Sequence, residues 1–138
     1  MRLAVLVMTF AVLAGLVACK NNSGGSTPSS TPTPVPPISA SPSSITLSLS
    51  GAGGVPQSIT ALTWTQQNAT GDAGISQNCF PGSGTILASP TSTTQSVSGG
   101  VLTGSMGPIT AAAVGTCQIT LSPVGGGGAT FVTVTVNS

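Results

Sequence analysis

Gly115-Thr116-Cys117-Gln118-Ile119-Thr120-Leu121-Ser122 and, beyond a short turn, Phe131-Val132-Thr133-Val134-Thr135-Val136 decide the fold class. In the first stretch Cys117, Ile119 and Leu121 fall on one side of an extended chain and Thr116, Gln118, Thr120 and Ser122 on the other. In the second, Val132, Val134 and Val136 oppose Thr133 and Thr135. A period of two is what a strand with one buried and one solvated face requires. Pro123 to Gly128 supplies the turn between them.

The same period appears upstream, where Ile45, Leu47 and Leu49 alternate with Thr46, Ser48 and Ser50 before the turn residues Gly51 to Pro56. A second strand is expected within Gln57–Thr65. There Ile59 and Ala61 share one phase while Leu62 and Trp64 share the other, so a bulge near Ala61-Leu62 is expected, because one extra residue moves the chain to its other face. Trp64, the sole tryptophan, reads as a core anchor, with a surface stacking residue as the alternative. Ile75, Cys79 and Phe80, then Thr85 to Ala88, Ser96 to Ser98 and Val101-Leu102 read as short strands between Gly, Pro and Ser punctuation.

No stretch after Cys19 carries apolar spacing of three and four with capping signals, so almost no helix is expected. About seven short alternating strands over residues 43–138 describe an all-β, immunoglobulin-like β-sandwich. Ser41-Pro42-Ser43-Ser44-Ile45-Thr46-Leu47, Gly115 to Leu121 and Thr133-Val134-Thr135-Val136 together resemble bacterial Ig-like domains of the Big_2 type. That resemblance implies an adhesive or spacing module in an envelope or surface-attached protein. It departs from antibody-type domains, in which a cysteine precedes the tryptophan; here Trp64 precedes both Cys79 and Cys117.

The other end of the chain has a different character. Arg2 precedes an apolar run from Leu3 to Ala18, broken only by Thr9 and Gly15. As a helix the run would reach about 24 Å at 1.5 Å per residue, short of the roughly 30 Å hydrocarbon core. A signal peptide over residues 1–18 accounts for it better. The run ends in Leu16-Val17-Ala18-Cys19, which resembles the lipobox of bacterial lipoproteins. The resemblance implies cleavage before Cys19, a diacylglyceryl group on its sulfur and acylation of the new amino terminus. An ordinary leader cut near Ala18 and an uncleaved anchor are the alternatives. Two or three acyl chains hold a protein stably on a membrane, whereas one is marginal. The expected location is therefore the inner or outer membrane, lipid-anchored and facing the periplasm or the exterior.

Residues 19–42 read as the lipidated cysteine followed by a tether rich in Pro, Ser and Thr, with prolines at 28, 32, 34, 36, 37 and 42. Proline neither donates to a ladder nor continues a helix, and the segment has little to bury. Such a spacer reaches on the order of 30 Å as a coil and 70 Å as polyproline II.

With Cys19 assigned to lipid by that resemblance, Cys79 and Cys117 are left as a pair for an oxidising compartment. A free-thiol or redox role is the alternative, although no Lys, Arg or His lies near either in sequence to lower a thiol pKa.

Composition narrows the function. Charged residues make up 2% of the chain, namely Arg2, Lys20 and Asp72, against 39% hydrophobic. Nucleic acid is not an expected partner, since its binding rests on several cationic contacts to phosphate. Histidine, tyrosine and glutamate are absent, so a Ser-His-Asp relay, a carboxylate pair and a His/Cys zinc site all lack parts. No catalytic residue, metal ligand or cofactor is assigned, and the chain is not expected to be an enzyme. Asp72, in Thr70-Gly71-Asp72-Ala73-Gly74, reads as a turn residue, with weak calcium contact as the alternative. Gly51 to Gly54 and Gly125 to Gly128 lack the lysine and helix of a phosphate loop and read as turns. Asn68-Ala69-Thr70 matches a glycosylation sequon, which a bacterial leader makes a chance match.

These readings point to a non-catalytic module held on a membrane through Cys19. A surface glycan or protein ligand would meet loops such as Gln66-Gln67-Asn68 or a sheet face rich in Thr, Ser, Gln and Asn. The alternative is self-assembly in which the uncharged C-terminal strand Thr130 to Val136 completes a neighbour's sheet.

Overall fold

The computed structural model describes residues 33–80 and 85–138. The expected signal peptide, Cys19 and the tether as far as residue 32 lie outside the described residues, as does the segment 81–84. The described chain is all-β, an immunoglobulin-like β-sandwich. Its strands are β1 (Ser39–Ser41), β2 (Ser44–Ser48), β3 (Ser58–Ile59), β4 (Leu62–Gln67), β5 (Gly74–Phe80), β6 (Leu87–Ala88), β7 (Ser92–Ser98), β8 (Val101–Gly107), β9 (Ile109–Ala111), β10 (Gly115–Ser122) and β11 (Thr130–Asn137). The only helical turn among the described residues is a 3-10 turn at Ala52–Gly54.

Two four-stranded sheets carry the sandwich, in the orders β1-β4-β8-β7 and β2-β11-β10-β5, and a small third sheet, β3-β9-β6, completes the set. All neighbours are antiparallel except β2 and β11, which run parallel. The first strand therefore pairs in one sheet as β1 and, after Pro42-Ser43, in the other as β2. The order β1-β4-β8-β7 on one side and β5-β10-β11 on the other reproduces the ABED and CFG sheets of the immunoglobulin arrangement, with β2 added beside β11.

Alternation explains why the layers close. Leu62, Trp64, Leu102 and Met106 face inward from one sheet, and Ile45, Leu47, Cys117, Ile119, Leu121, Val132, Val134 and Val136 from the other. All join one core cluster with Ile38, Ala69, Ala73, Ile86, Leu87, Ile109 and Ala111. Trp64 is 1% exposed, so it anchors the core.

Several boundaries differ from those read from sequence. The described residues form eleven strand segments where about seven strands were expected, because short pieces such as β3, β6 and β9, joined by two ladder pairs at each contact, form a small third sheet. The change of phase near Ala61-Leu62 is not a bulge. Ser58 and Ile59 pair with β9 in the small sheet while Leu62 onward pairs with β8, so the chain changes sheets at Thr60-Ala61. Order also begins before residue 43: Ser39–Ser41 pair with Thr63–Thr65, and Ile38 is buried. The Pro-rich stretch hid this strand because only Ile38, just before it, and the small Ala40 within it pack against the core.

Candidate functional site

Of the three cysteines, the structure describes two. Cys117 lies opposite Cys79 in the β10–β5 register, and the two form a disulfide with Cα atoms 4.0 Å apart. Both point inward, with Cys117 fully buried and Cys79 half-buried at the sheet edge. The bridge thus ties an edge strand to its neighbour within one sheet, whereas in antibody domains it joins the two sheets. Gln77 Nε2 donates to Cys79 Sγ at 3.1 Å. Cys19 lies outside the described residues.

The loop suggested by Gln66-Gln67-Asn68 is not a uniform ligand surface. Gln66 is 2% exposed and faces inward, and its Nε2 donates to the Pro36 carbonyl at 2.9 Å and to the Gly126 carbonyl at 3.4 Å. It fastens the segment entering β1 to the loop between β10 and β11. A Cβ at Gly127, whose φ is +86°, would stand 2.8 Å from the Pro36 oxygen, so glycine keeps that approach open. Gln67 and Asn68 are exposed. Asn68 adopts φ 56°, a left-handed conformation that asparagine tolerates.

Asp72 is exposed in the β4–β5 loop, as a turn residue would be. Its neighbour Ala73 is held by an amide clamp that the sequence did not advertise. Gln95 Oε1 accepts from Ala73 N–H and Gln95 Nε2 donates to the Ala73 carbonyl, both at 2.9 Å. Among the described residues no group of three His, Cys, Asp or Glu side chains is placed to hold a metal. No helix among them is long and apolar enough to cross a membrane.

What remains exposed in quantity is sheet surface. On the β1-β4-β8-β7 sheet the outward residues are Ser39, Ser41, Thr63, Thr65, Thr94, Ser96, Thr103 and Ser105. Neighbouring hydroxyls satisfy one another there, Thr94 with Ser105 at 3.3 Å and Ser96 with Thr103 at 3.1 Å. The opposite sheet presents Ser44 and Thr46, Phe131, Thr133 and Thr135, Thr116, Gln118 and Thr120, and Ser76, Asn78 and Phe80. Phe80 is 69% exposed and Phe131 54% exposed, although each sits in a regular strand. Phe80 is opposite Thr116 and Phe131 opposite Thr120. At about 3.4 Å per residue and 4.8 Å per strand, their Cα atoms lie about 17 Å apart on a diagonal across the sheet. Thr116, Gln118, Thr120 and Asn78 occupy the ground between them.

The strand expected for exchange, Thr130 to Val136, lies in β11, which is bonded on both sides, by β10 and by β2. Exchanging it would break two ladders. The edges of the two four-stranded sheets are β1, β7, β2 and β5.

Comparison with known proteins finds no matching family model, no matching curated protein and no matching solved structure.

Proposed function

We propose that this protein is a lipid-anchored module of the bacterial cell envelope, built on an Ig-like domain of the Big_2 type, that binds rather than catalyses. The observation that carries the reading is the Cys79–Cys117 bridge. It uses two of three cysteines, which leaves Cys19, at the end of an apolar leader, as the single thiol for acylation. Disulfides persist in exported proteins, and a leader followed by a proline-rich spacer fits export and display. A tether of that composition suits display of the domain's broad uncharged faces to envelope or surface material.

Metabolic labelling with a fatty acid, in bacteria expressing the full chain, tests the anchor. Label is expected on the wild-type protein and absent from the Cys19→Ala variant, which should also leave the membrane fraction. Equal labelling of both proteins, or a membrane-bound Cys19→Ala protein, contradicts it.

A further inference from the structure

We propose that the outer face of the β2-β11-β10-β5 sheet is a binding platform for a neutral oligosaccharide, stacked on Phe80 and Phe131 and hydrogen-bonded between them. The inference deepens the binding role proposed above and rests on it.

The two rings are the first reason. A phenylalanine ring left more than half exposed on a regular strand forfeits the burial that usually places it in the core, and this sheet has two. Each ring face carries partial negative charge and suits the C–H face of a pyranose ring. Their separation of about 17 Å asks for an oligomer rather than a single sugar, and the diagonal fits an extended chain.

The ground between the rings is the second reason. Asn78 and Gln118 each bring an amide with both donors and an acceptor, and Thr116 and Thr120 bring hydroxyls. Asn78 and Gln118 lie directly opposite one another in the register. Among the described residues no hydrogen bond ties their side chains to protein partners, unlike the paired hydroxyls of the other sheet. Fixed strands hold these groups at regular spacing, so little ordering is required when a polyol docks.

Charge selects the ligand class. Among the described residues Asp72 is the sole charged side chain, and it lies in the β4–β5 loop rather than on this face. An anionic glycan or a nucleic acid would find no cation to meet it. A permanent protein partner would call for a more apolar interface core, whereas here polar side chains separate the two rings. An uncharged polyol matches both the neutrality and the mixture of donors and acceptors.

The test uses the full lipoprotein in detergent, retained on insoluble neutral polysaccharides (β-glucan, mannan and chitin), with an acidic polysaccharide and a protein-coated resin as counter-probes. Retention on at least one neutral glycan is expected, with affinity changing less than about twofold between low and high salt because no ion pair is involved. Phe80→Ala and Phe131→Ala should each weaken it roughly tenfold, and Phe80→Leu nearly as much, since the ring rather than the apolar area is used. Asn78→Ala with Gln118→Ala should weaken it comparably, and Thr65→Ala with Thr103→Ala on the other sheet should leave it unchanged. All these side chains are exposed, and an unchanged melting temperature confirms that each variant folds. Wild-type strength in both Phe variants, loss of binding in salt, or retention only by the acidic or protein resin overturns the platform. Retention by none of the resins overturns it too. Acylation of Cys19, measured on the same sample, is independent: an acylated protein that ignores every glycan sinks the platform alone, and an unacylated one sinks the anchor alone.

Discussion

Gly104 lies against the indole of Trp64, so close that a Cβ at that position would stand 2.2 Å from Trp64 Cε2. The two are directly opposed in the β4–β8 register, and the tryptophan fills the volume that a side chain at 104 would need. Adding a single methyl should therefore overpack the core. Gly104→Ala is expected to lower stability by about 1–3 kcal/mol in urea denaturation. Gly74→Ala, where the nearest atom would be 3.7 Å away, should shift it by no more than about 0.5 kcal/mol.

Gln66 holds two chain segments that are distant in sequence, through Pro36 and Gly126. Gln66→Ala is expected to cost about 1–3 kcal/mol, because the carbonyls lose a donor and a cavity opens. Amide exchange should accelerate in residues 38–41 and 125–128 before it does in β10. The exposed Gln67→Ala should alter neither property.

Gln95 reproduces with its side chain the paired hydrogen bonds of a strand bridge to Ala73. Ala73 is buried, so Gln95→Ala leaves its backbone groups without these partners and should cost about 1–3 kcal/mol. Gln95→Glu should do no better, since a carboxylate still faces the Ala73 N–H but sets a second acceptor against its carbonyl. Hydrogen exchange at Ala73 measures both effects.

The Cys79–Cys117 bridge has a sequence separation of 38. Closing a loop of that size restricts the unfolded chain by about 4 kcal/mol on the chain-entropy account. The Cys79→Ala/Cys117→Ala protein is expected to lose stability of that order, a large part of the roughly 5–15 kcal/mol of an ordinary domain. Equal denaturation midpoints for oxidised wild type and this variant would show that the bridge is dispensable.

Strands whose inward positions are all apolar were legible and those with small or polar inward positions less so, for a physical reason: the edge strand β2 shows Ile45 and Leu47, whereas in the central strand β8 Gly104 interrupts Leu102 and Met106. β10 and β11 have a neighbour on each side and cover the core, so Cys117, Ile119 and Leu121 and the three valines write the alternation plainly. β7 lies at an edge, and its inward positions are Thr93, Gln95 and Val97, where a polar side chain still reaches backbone or solvent. Its pattern is correspondingly faint. β1 and β9 escaped notice because three residues cannot display a period. The amide clamps of Gln66 and Gln95 leave no local signal, since their partners lie 30 and 22 residues away. Phe80 was legible as a strand residue, but its outward direction needed the register that Cys79 and Cys117 fix.

The proposed export and lipid anchoring are tested most directly by the intact mass of the protein extracted from membranes of its own cells. The account predicts a chain beginning at Cys19, heavier by two or three acyl chains, with Cys79 and Cys117 resistant to alkylation until reduced. A chain that still begins at Met1 and whose three cysteines all alkylate without reductant would contradict it.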